Sequence, residues 1–319
     1  MGGALRRVLV VGGNGFIGSA ICRAALARGM EVVSVSSSGR PYRTPKGHTP
    51  SWTSKVDWQQ GDAFNPSSFA HLFPQVSGVV HTLGTLLEGS GEYKKAVREG
   101  NILGLLGSFT QVVRRIKGGP GGNPLEKPAD GGWKGSYEAL NRDAALRVCE
   151  AFLGSPSPAQ RSDASRPFVF ISAEDIFRPI IPSRYIETKR EAEGGIDGMV
   201  KERTGFHAVH IRPSLVYHAH LRPLTTPPAV VMDLFATLHG KIPPGIPTPS
   251  SLLRLVGMFR GGSTSSAITP SVLNSVANAL TTRPIHVDHV AQAVCVALER
   301  GEAVQGVVDV RRMRELLEW

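Results

Sequence analysis

The sequence predicts an α/β protein built on a doubly wound parallel sheet, with a small C-terminal substrate region. The first observation is a run of four apolar residues, Val8 to Val11, which is typical of a strand buried on both faces. Three glycines follow this run, and a helical pattern begins at Phe16. Further apolar runs alternate with helical patterns as far as residue 217, as such a sheet requires. The composition then shifts toward proline and apolar residues.

We expect the chain to divide into three parts. Residues 1–217 form the dinucleotide-binding domain, with an insertion at about residues 92–135 that we interpret as a surface excursion. Residues 218–284 form a region that faces the substrate or a membrane. Residues 285–319 return to the sheet.

Composition and charge exclude several classes of protein. An apolar content of 41% in 319 residues supplies a sizeable core, and no apolar run reaches the roughly 18–20 residues that span a bilayer. Cys22, Cys149 and Cys295 lie in helical patterns without metal-ligand spacing, so we expect reduced, buried thiols and no metal site. The net charge of +10 suits a nucleic acid, an anionic membrane or a mitochondrial address. Because the basic residues are scattered and not interleaved with aromatic ones, nucleic acid is the least favoured partner.

The first 30 residues favour a mitochondrial location. They contain four arginines and no acidic residue, and Ile17, Ile21 and Ala24 share one side of a helix. Mitochondrial import favours an acid-poor, arginine-bearing, amphipathic start of this kind. Since the fold begins at about Val8, we expect no room for a removable presequence. Either an uncleaved N-terminus directs import or the chain was trimmed.

The glycines after the first strand predict a dinucleotide site. Gly12 permits a tight turn, Gly15 lets backbone N–H groups approach a pyrophosphate, and Gly18 lets the helix pack closely. The helix N-terminus then faces the phosphates with free N–H groups. An ordinary glycine turn is the alternative, which the position between strand and helix disfavours. The cofactor candidates of this loop are Gly12, Gly13, Asn14, Gly15, Phe16, Ile17 and Gly18.

The end of the second predicted strand, Glu31 to Ser36, indicates which nucleotide binds. An enzyme that prefers NAD usually has an acidic residue here, which accepts hydrogen bonds from the adenosine ribose. No acid stands at this position, and Ser36, Ser38 and Arg40 suit a 2′-phosphate instead. We therefore expect NADP(H) in preference to NAD(H). A solvated loop arginine is the alternative for Arg40.

Strands predicted at 56–61 and 78–82 supply more cofactor candidates at their carboxyl ends. Asp62 can accept from the adenine amino group, or it can cap the helical segment at 66–73. A turn of small residues follows the later strand, where ligands bind in doubly wound folds. We interpret His81, on that strand, as a hydrogen-bonded structural histidine. The candidates are Gly61, Asp62, Ala63, Thr82, Leu83 and Gly84.

The catalytic candidates lie on two predicted helices and one strand. The helical pattern of 136–152 contains Asn141, and a fifth strand is predicted at 168–172. The next helix contains Tyr185 and Lys189, whose i, i+4 spacing puts both side chains on one side. A lysine ammonium beside a phenol stabilises the phenolate, which makes the tyrosine usable as an acid or base.

Together these motifs resemble the short-chain dehydrogenase/reductase superfamily, in its extended and atypical branches. The resemblance implies a Rossmann fold, bound NADP(H), and Tyr185 and Lys189 at the active site, with Asn141 as a water-relay partner. It also implies that the backbone after Pro213 lies beside the nicotinamide, which adds Pro213, Ser214 and Leu215 to the cofactor candidates. The segments that carry the match are 12–18, 61–62, 185–189, 211–214 and 284–288.

Shorter segments narrow the resemblance. Residues 80–84, 123–125 and 182–193 resemble a family of fungal mitochondrial proteins of coenzyme Q biosynthesis, which is related to the nucleotide-binding accessory subunit of respiratory complex I. This resemblance implies the matrix side of the inner membrane, an apolar quinone-type substrate and a ubiquinone-biosynthesis complex as partner. The accessory subunit implies the alternative, a protein that holds its nucleotide without turnover.

One position departs from the superfamily pattern. The catalytic serine or threonine would fall at Ala173, one residue beyond Ser172. Because strand side chains alternate between faces, this offset can turn the Ser172 hydroxyl away from the tyrosine. Ser172 stays a catalytic candidate, and full reductase activity depends on which way it points.

The region between Ala219 and Arg283 predicts the surface that meets a substrate or a membrane. Apolar helices at 230–238 and 251–259 are flanked by basic side chains such as Arg254. An apolar region with a cationic rim can lie on an anionic membrane, close over an apolar substrate or be ordinary core.

The C-terminal part is expected to complete the sheet. Val287 returns to it, and Asp288 caps a helix at 289–298. A last strand then occupies 306–310.

Overall fold

The computed structural model describes residues 6–85, 136–156, 165–176, 178, 181–243, 246–260 and 272–318. The strands of these residues are β1 (Arg7–Val11), β2 (Glu31–Ser36), β3 (Val56–Gln60), β4 (Gly78–His81), β5 (Arg166–Ile171), β6 (Phe206–Ile211), β7 (Val216–Tyr217), β8 (Ile285–His286) and β9 (Gly306–Val308). Their α-helices are α1 (Phe16–Ala27), α2 (Ala144–Leu153), α3 (Ser183–Lys201), α4 (Thr226–Gly240), α5 (Pro249–Arg260), α6 (Val272–Thr281), α7 (Val287–Arg300) and α8 (Val310–Leu317). Short 3₁₀ helices lie at Ser51–Lys55, Pro66–Gln75, Pro223–Thr225 and Gly301–Ala303, and a π-helix lies at Glu138–Asp143.

Seven parallel strands form the main sheet, in the order β3-β2-β1-β4-β5-β6-β9. Alternate residues of β1 face opposite layers: Val8 and Val10 join the core under α1 and α7, whereas Leu9 and Val11 join the core under α2 and α3. Burial on both faces explains why this strand is apolar throughout. The predicted doubly wound sheet is therefore confirmed.

The strands fall close to their predicted positions. The glycine loop lies between β1 and α1, and the ends of β1, β4, β5 and β6 meet at the same carboxyl edge of the sheet. That edge is where ligands bind in folds of this kind. The predicted segment at 66–73 forms a 3₁₀ helix, and β5 ends at Ile171, so Ser172 begins the loop that follows. The insertion at 92–135 lies outside the described residues.

Two predictions for the C-terminal part were wrong. The segment before α7 does not return to the main sheet, because β8 pairs with β7 in a separate two-stranded sheet. The cap of α7 is His286, whose Nδ1 accepts from the backbone N–H of Asp288 at 3.3 Å. Asp288 pairs instead with Arg23 on α1 at 2.5 Å. The predicted last strand is present as β9, at the edge beside β6.

All three cysteines are buried and free, as predicted. Burial raises the pKa of each thiol, so they are unreactive packing residues. Within the described ranges, none of the helices is both long and apolar enough to span a bilayer.

Candidate functional site

The glycine loop between β1 and α1 is a cradle in which side chains do not fit. Gly12 has a φ of +88°, and a Cβ on it would lie 2.6 Å from the Thr82 hydroxyl oxygen. A Cβ on Gly18 would lie 2.3 Å from the carbonyl oxygen of Gly12. The backbone N–H of Gly15 donates to that same carbonyl at 2.9 Å, which closes the turn. The loop thus leaves the N-terminus of α1 open to an anionic ligand.

The loop is also tied to the end of β2. A Cβ on Gly13 would lie 2.3 Å from the Ser34 hydroxyl oxygen. The Asn14 amide nitrogen donates to the hydroxyls of Ser36 at 3.2 Å and Ser38 at 3.3 Å. These bonds fix the glycine loop against the two serines where the adenosine ribose is expected.

The first two residues of α1, Phe16 and Ile17, contact the C-terminal region and the core. The guanidinium of Arg222 lies 4.1 Å from the centre of the Phe16 ring. Ile17 packs against the core beneath α1. Phe16 therefore joins the cradle to the segment between β7 and α4.

Arg40 lies at the open end of this cradle. Its side chain is exposed, and the guanidinium makes no hydrogen bond or ion pair with a described residue. Its backbone N–H donates to the Ser38 hydroxyl at 3.3 Å, which holds the residue beside the two serines. The geometry leaves this positive charge available to a ligand.

The carboxyl end of β3 is a tight turn. Gly61 donates to the carbonyl of Ser36 at 3.0 Å, and a Cβ on it would lie 2.7 Å from the Phe69 ring. Asp62 Oδ1 accepts from the N–H of Phe64 at 3.0 Å. Ala63 is buried in the core. Asp62 thus closes the turn ahead of the 3₁₀ helix, and the predicted cap at Asp62 was wrong, because Asn65 occupies the cap position of that helix.

Small residues after β4 let polar groups converge beside the cradle. The Thr82 hydroxyl donates to the Val11 carbonyl at 2.8 Å, so it ties β4 to β1. A Cβ on Gly84 would lie 2.9 Å from Lys189 Nζ and 3.0 Å from Asn141 Oδ1. Only a glycine lets the chain pass this close to the two catalytic candidates.

Lys189 is a buried cation held by carbonyl oxygens. Its Nζ donates to the Ile171 carbonyl at 2.8 Å and to the Leu83 carbonyl at 3.5 Å. It also lies 4.6 Å from the centre of the Phe170 ring. The side chain of this residue has no ion pair with a carboxylate of the described ranges, and burial lowers its pKa to about 7. Lys189 can therefore change its protonation state near neutral pH.

Asn141 lies in the π-helix beside this lysine and is fully buried. Its amide oxygen accepts from the Thr85 N–H at 2.9 Å, and its amide nitrogen donates to the Thr85 carbonyl at 3.2 Å. The residue therefore holds the segment after β4. A π-helical turn is a frequent feature of functional sites, because it shifts a side chain out of the regular helical register.

Tyr185 is half-buried in the first turn of α3, one turn before Lys189. Its ring packs edge-on against Tyr137, with the ring centres 6.1 Å apart. The i, i+4 spacing predicted from the sequence is thus present on a continuous helix, on the side of α3 that faces the ends of β4 and β5.

Comparisons with known proteins show the family of this chain. A model of the NAD dependent epimerase/dehydratase family matches residues 8–102. MIOREX complex component 2 of Saccharomyces cerevisiae is 33% identical over 218 residues, which cover 67% of this chain and 74% of the yeast protein. The chain belongs to the NAD dependent epimerase/dehydratase family. An uncharacterised chloroplastic protein of Arabidopsis thaliana is 43% identical over 97 residues, 30% of either chain.

Solved structures show the same fold as this family member. The 3-oxoacyl-[acyl-carrier protein] reductase of Brucella melitensis in complex with NAD has a TM-score of 0.52 at 10% identity, covering 97% of this chain and 96% of that one. A short-chain type dehydrogenase/reductase of Mycobacterium ulcerans has a TM-score of 0.51 at 16% identity, covering 97% and 90%. These structures confirm the predicted Rossmann fold.

Ser172 does not join the Tyr185 side of this family's site. Its hydroxyl accepts from Arg190 Nη1 at 3.1 Å, and the same guanidinium donates to the Ala173 carbonyl at 2.9 Å. Arg190 in turn pairs with buried Glu193 at 2.8 Å. The hydroxyl is therefore held in an ion-pair network, because the one-residue offset directs it there.

The residues after β6 also connect protein segments. The Ser214 hydroxyl donates to the Arg283 carbonyl at 2.6 Å, and the Leu215 carbonyl accepts from the N–H of Ile285 at 3.0 Å. The carbonyl of Pro213 accepts from Glu174 at 2.9 Å. This segment is rigidly placed at the carboxyl edge of the sheet, and the Ser214 hydroxyl itself faces the segment before β8.

Sequence reasoning missed two features of the site. Glu193 is buried between Arg190 and Arg212, and it binds both Arg212 Nε, at 3.0 Å, and Arg212 Nη2. The E-A-E segment of α3 gave no signal for this contact, since its partner lies on another element.

His81 was predicted to be hydrogen-bonded, which was wrong: both ring nitrogens are buried without a partner among the described residues. Burial lowers the pKa of His81 to about 3, and the nearby charge of Lys189 adds to this.

Proposed function

We propose that this protein is an NADP(H)-dependent oxidoreductase that acts on an apolar carbonyl or quinone-type substrate. The observation that carries the proposal is Lys189, a buried lysine without a carboxylate partner in the described residues, at the carboxyl edge of the sheet and one helical turn from Tyr185. Shifted titrating groups of this kind concentrate at functional sites. The glycine cradle beside it fits a dinucleotide, because the lack of side chains at Gly12 and Gly18 lets the loop close tightly against Thr82 and against its own backbone at the N-terminus of α1.

The preference for NADP(H) rests on the end of β2. Ser36, Ser38 and the exposed Arg40 guanidinium form a polar, positively charged corner without an acidic residue. A 2′-phosphate gains charge-assisted hydrogen bonds there, whereas a free ribose hydroxyl finds no carboxylate acceptor. The Brucella reductase, which shares the fold, was solved in complex with NAD, so the fold does not itself favour NADP(H), and the preference proposed for this chain rests on its own corner.

In the proposed reaction, Tyr185 and Lys189 would transfer the proton. When bound, NADPH supplies a hydride to the substrate carbon, which leaves a developing negative charge on the substrate oxygen. Tyr185 then donates its phenolic proton to that oxygen, and Lys189 stabilises the resulting phenolate. Because burial lowers the pKa of Lys189 to about 7, a proton can pass on from the lysine at neutral pH. Asn141 holds Thr85, and so the segment that brings Gly84 against Lys189.

The cellular setting is part of the proposal. The acid-poor, arginine-bearing N-terminal helix supports a mitochondrial location, and the narrower resemblance supports the matrix side of the inner membrane. The yeast relative is named as a component of a complex. We propose that this chain also works within an assembly, one that makes ubiquinone.

A second function is favoured by the Ser172 geometry. With Ala173 at the usual hydroxyl position and Ser172 bonded to Arg190, the site lacks a donor for the substrate oxygen from this loop. Loss of such a donor costs on the order of 10²–10³ in turnover. A catalytically weak protein that keeps NADP(H) as a structural or regulatory component of the complex fits this observation.

Tyr185→Phe separates the two functions. We expect the variant to bind NADPH as the unmodified protein does and to lose quinone or carbonyl reduction by about 10²–10⁴, because proton transfer by the phenol is removed. NADPH oxidation measured with a short-chain quinone reports turnover, and fluorescence of bound NADPH reports binding. Unchanged turnover, or unchanged ubiquinone production in cells that carry only the variant, would leave the structural role as the function.

A further inference from the structure

The helices α4 and α5 expose an apolar surface to solvent. On α4, Val230, Leu234 and Leu238 follow one another at four-residue spacing, and each is at least half exposed. On α5, Leu255 is half exposed and Met258 is 79% exposed. Other large side chains extend the same surface, which we call the α4–α5 apolar surface: Val231, Phe235, Ile246, Leu252 and Val256.

This surface is distinct from the core contacts of the same helices. Both helices pack on α6, and the residues of α4 that are buried are the small Ala229 and Ala236. The apolar side chains on the other faces touch no layer of the described protein that would exclude water from them. Large apolar side chains that are exposed on successive turns of two helices are typical of an interaction site. Ordinary core, one alternative from the sequence, does not describe these helices.

Basic residues accompany the apolar ones. Residues 219–283 contain five arginines and lysines and one acidic residue, Asp233. Arg254 extends from α5 and is exposed, with one bond to Asn278 at 2.9 Å. It lines a cavity of about 550 Å³ with three further arginines, including Arg283, and with four acidic residues: Glu174, Asp309, Glu315 and Glu318. The Arg283 guanidinium makes no hydrogen bond or ion pair with a described residue.

We propose that the α4–α5 apolar surface docks on a bilayer that contains anionic phospholipids, with Arg254 and Arg283 binding headgroup phosphates. Apolar side chains enter the boundary between headgroups and acyl chains, while flanking arginines attract the anionic surface. The alternative is that a second copy of this chain covers the α4–α5 apolar surface. Charge disfavours it, because residues 219–283 of two copies would bring ten basic residues together with two acidic ones.

The docked position would serve the proposed function. Quinone-type substrates with long apolar tails reside in the bilayer, and α4 follows the segment that joins β7 and the glycine cradle through Arg222 and Phe16. Only this benefit, access to a substrate in the bilayer, rests on the proposed function. Membrane binding needs no turnover, so the membrane proposal and the proposed enzyme activity can be disproved independently.

Vesicle flotation of the full chain tests the proposal, with vesicles of phosphatidylcholine alone or with added phosphatidylglycerol. We expect flotation with the phosphatidylglycerol vesicles and an affinity about tenfold lower for Val230→Glu, which places a charge among the apolar side chains. Val307→Glu is the matched control: Val307 is 46% exposed on β9, away from the surface, and the variant should float as before. Arg254→Gln should weaken flotation several-fold, and only with the anionic vesicles.

Several results would overturn the proposal. One is the absence of flotation for a protein that binds NADPH, since this shows a folded chain without membrane affinity. Another is equal loss in Val230→Glu and Val307→Glu. A third is a dimer in light scattering that Val230→Glu converts to monomers, without vesicle binding by either, because a second copy then covers the surface.

Discussion

Two neighbouring residues of α3 place their charges in opposite surroundings. Lys189 is buried against two carbonyl oxygens and an aromatic ring, without a carboxylate bonded to it among the described residues. Arg190, the next residue, pairs with Glu193, and Glu193 also binds Arg212. Burial lowers the pKa of both cations, and only Arg190 has a bonded carboxylate that offsets the shift.

The difference separates a candidate catalytic site, formed by Lys189 and Tyr185, from a structural ion-pair network, formed by Arg190, Glu193 and Arg212. A buried charge with matching partners holds its protonation state and fixes the elements that carry the partners. A buried charge without them titrates near neutral pH and can take part in proton transfer. The Ser172 hydroxyl belongs to the structural side, which explains why it is absent from the Tyr185 side.

Replacing Lys189 should have the largest effect on turnover. We expect Lys189→Met to reduce turnover by about 10²–10⁴, because the phenolate of Tyr185 loses its nearby cation. NADPH oxidation measures this effect. Lys201→Met, on the exposed last turn of the same helix, should leave turnover unchanged. Equal turnover in the two variants would place the chemistry elsewhere.

Breaking the ion pairs of Glu193 should lower stability and not turnover. Glu193→Gln removes a buried carboxylate and leaves the half-buried Arg190 and Arg212 without it, so we expect the free energy of unfolding to fall by about 3 kcal/mol. Glu191→Gln is the matched control, since Glu191 pairs with Arg142 and Arg184 in a more exposed setting where pairs contribute about 0–1 kcal/mol. Urea denaturation measures both. A smaller loss in Glu193→Gln than in Glu191→Gln would refute this assignment.

A third change tests whether the missing hydroxyl limits catalysis. We expect Ala173→Ser to raise turnover about tenfold, because it adds a donor for the developing oxyanion at the position used by the superfamily. Ser172→Ala should leave turnover unchanged and cost about 1 kcal/mol of stability through its lost bond to Arg190. Turnover measured for both variants decides: a loss in Ser172→Ala would return Ser172 to the catalytic group.

The smallest effect, on stability at low pH, is expected at His81, whose pKa is also lowered by the nearby charge of Lys189. Its pKa lies near 3 in the folded protein and near 6.5 when unfolded, so the unfolded chain binds the extra proton between these values. Stability from the neutral ring is therefore present above pH 6.5 and is lost as the pH falls toward 3. His81→Phe should flatten this acid dependence and add about 1 kcal/mol at pH 7, since it removes two buried nitrogens without partners. Urea midpoints measured at pH 7, 5 and 4 check both expectations; an unchanged acid slope would contradict the first.

Local patterns in the sequence predicted most of the cofactor half of the fold. The apolar run before Gly12 and the positions of β2 and α1 follow from periodicity and glycine spacing, which act over a few residues. The ion pair of Glu193 with Arg212 joins a helix to the segment after β6, and no local pattern encodes it. The cap of α7 was assigned to Asp288 because aspartate is a frequent cap, whereas His286 performs this role two residues earlier.

The most direct test of the central claim is a calorimetric titration with NADPH and NADH. The account predicts that NADPH binds more tightly than NADH, and that Gly15→Ala weakens NADPH binding at least about tenfold by placing a methyl group at the entrance of α1. Gly194→Ala, on the open side of α3, is the matched control and should bind as before. Absence of heat with either nucleotide, or equal affinity in the two glycine variants, would contradict the claim that the loop between β1 and α1 holds the cofactor.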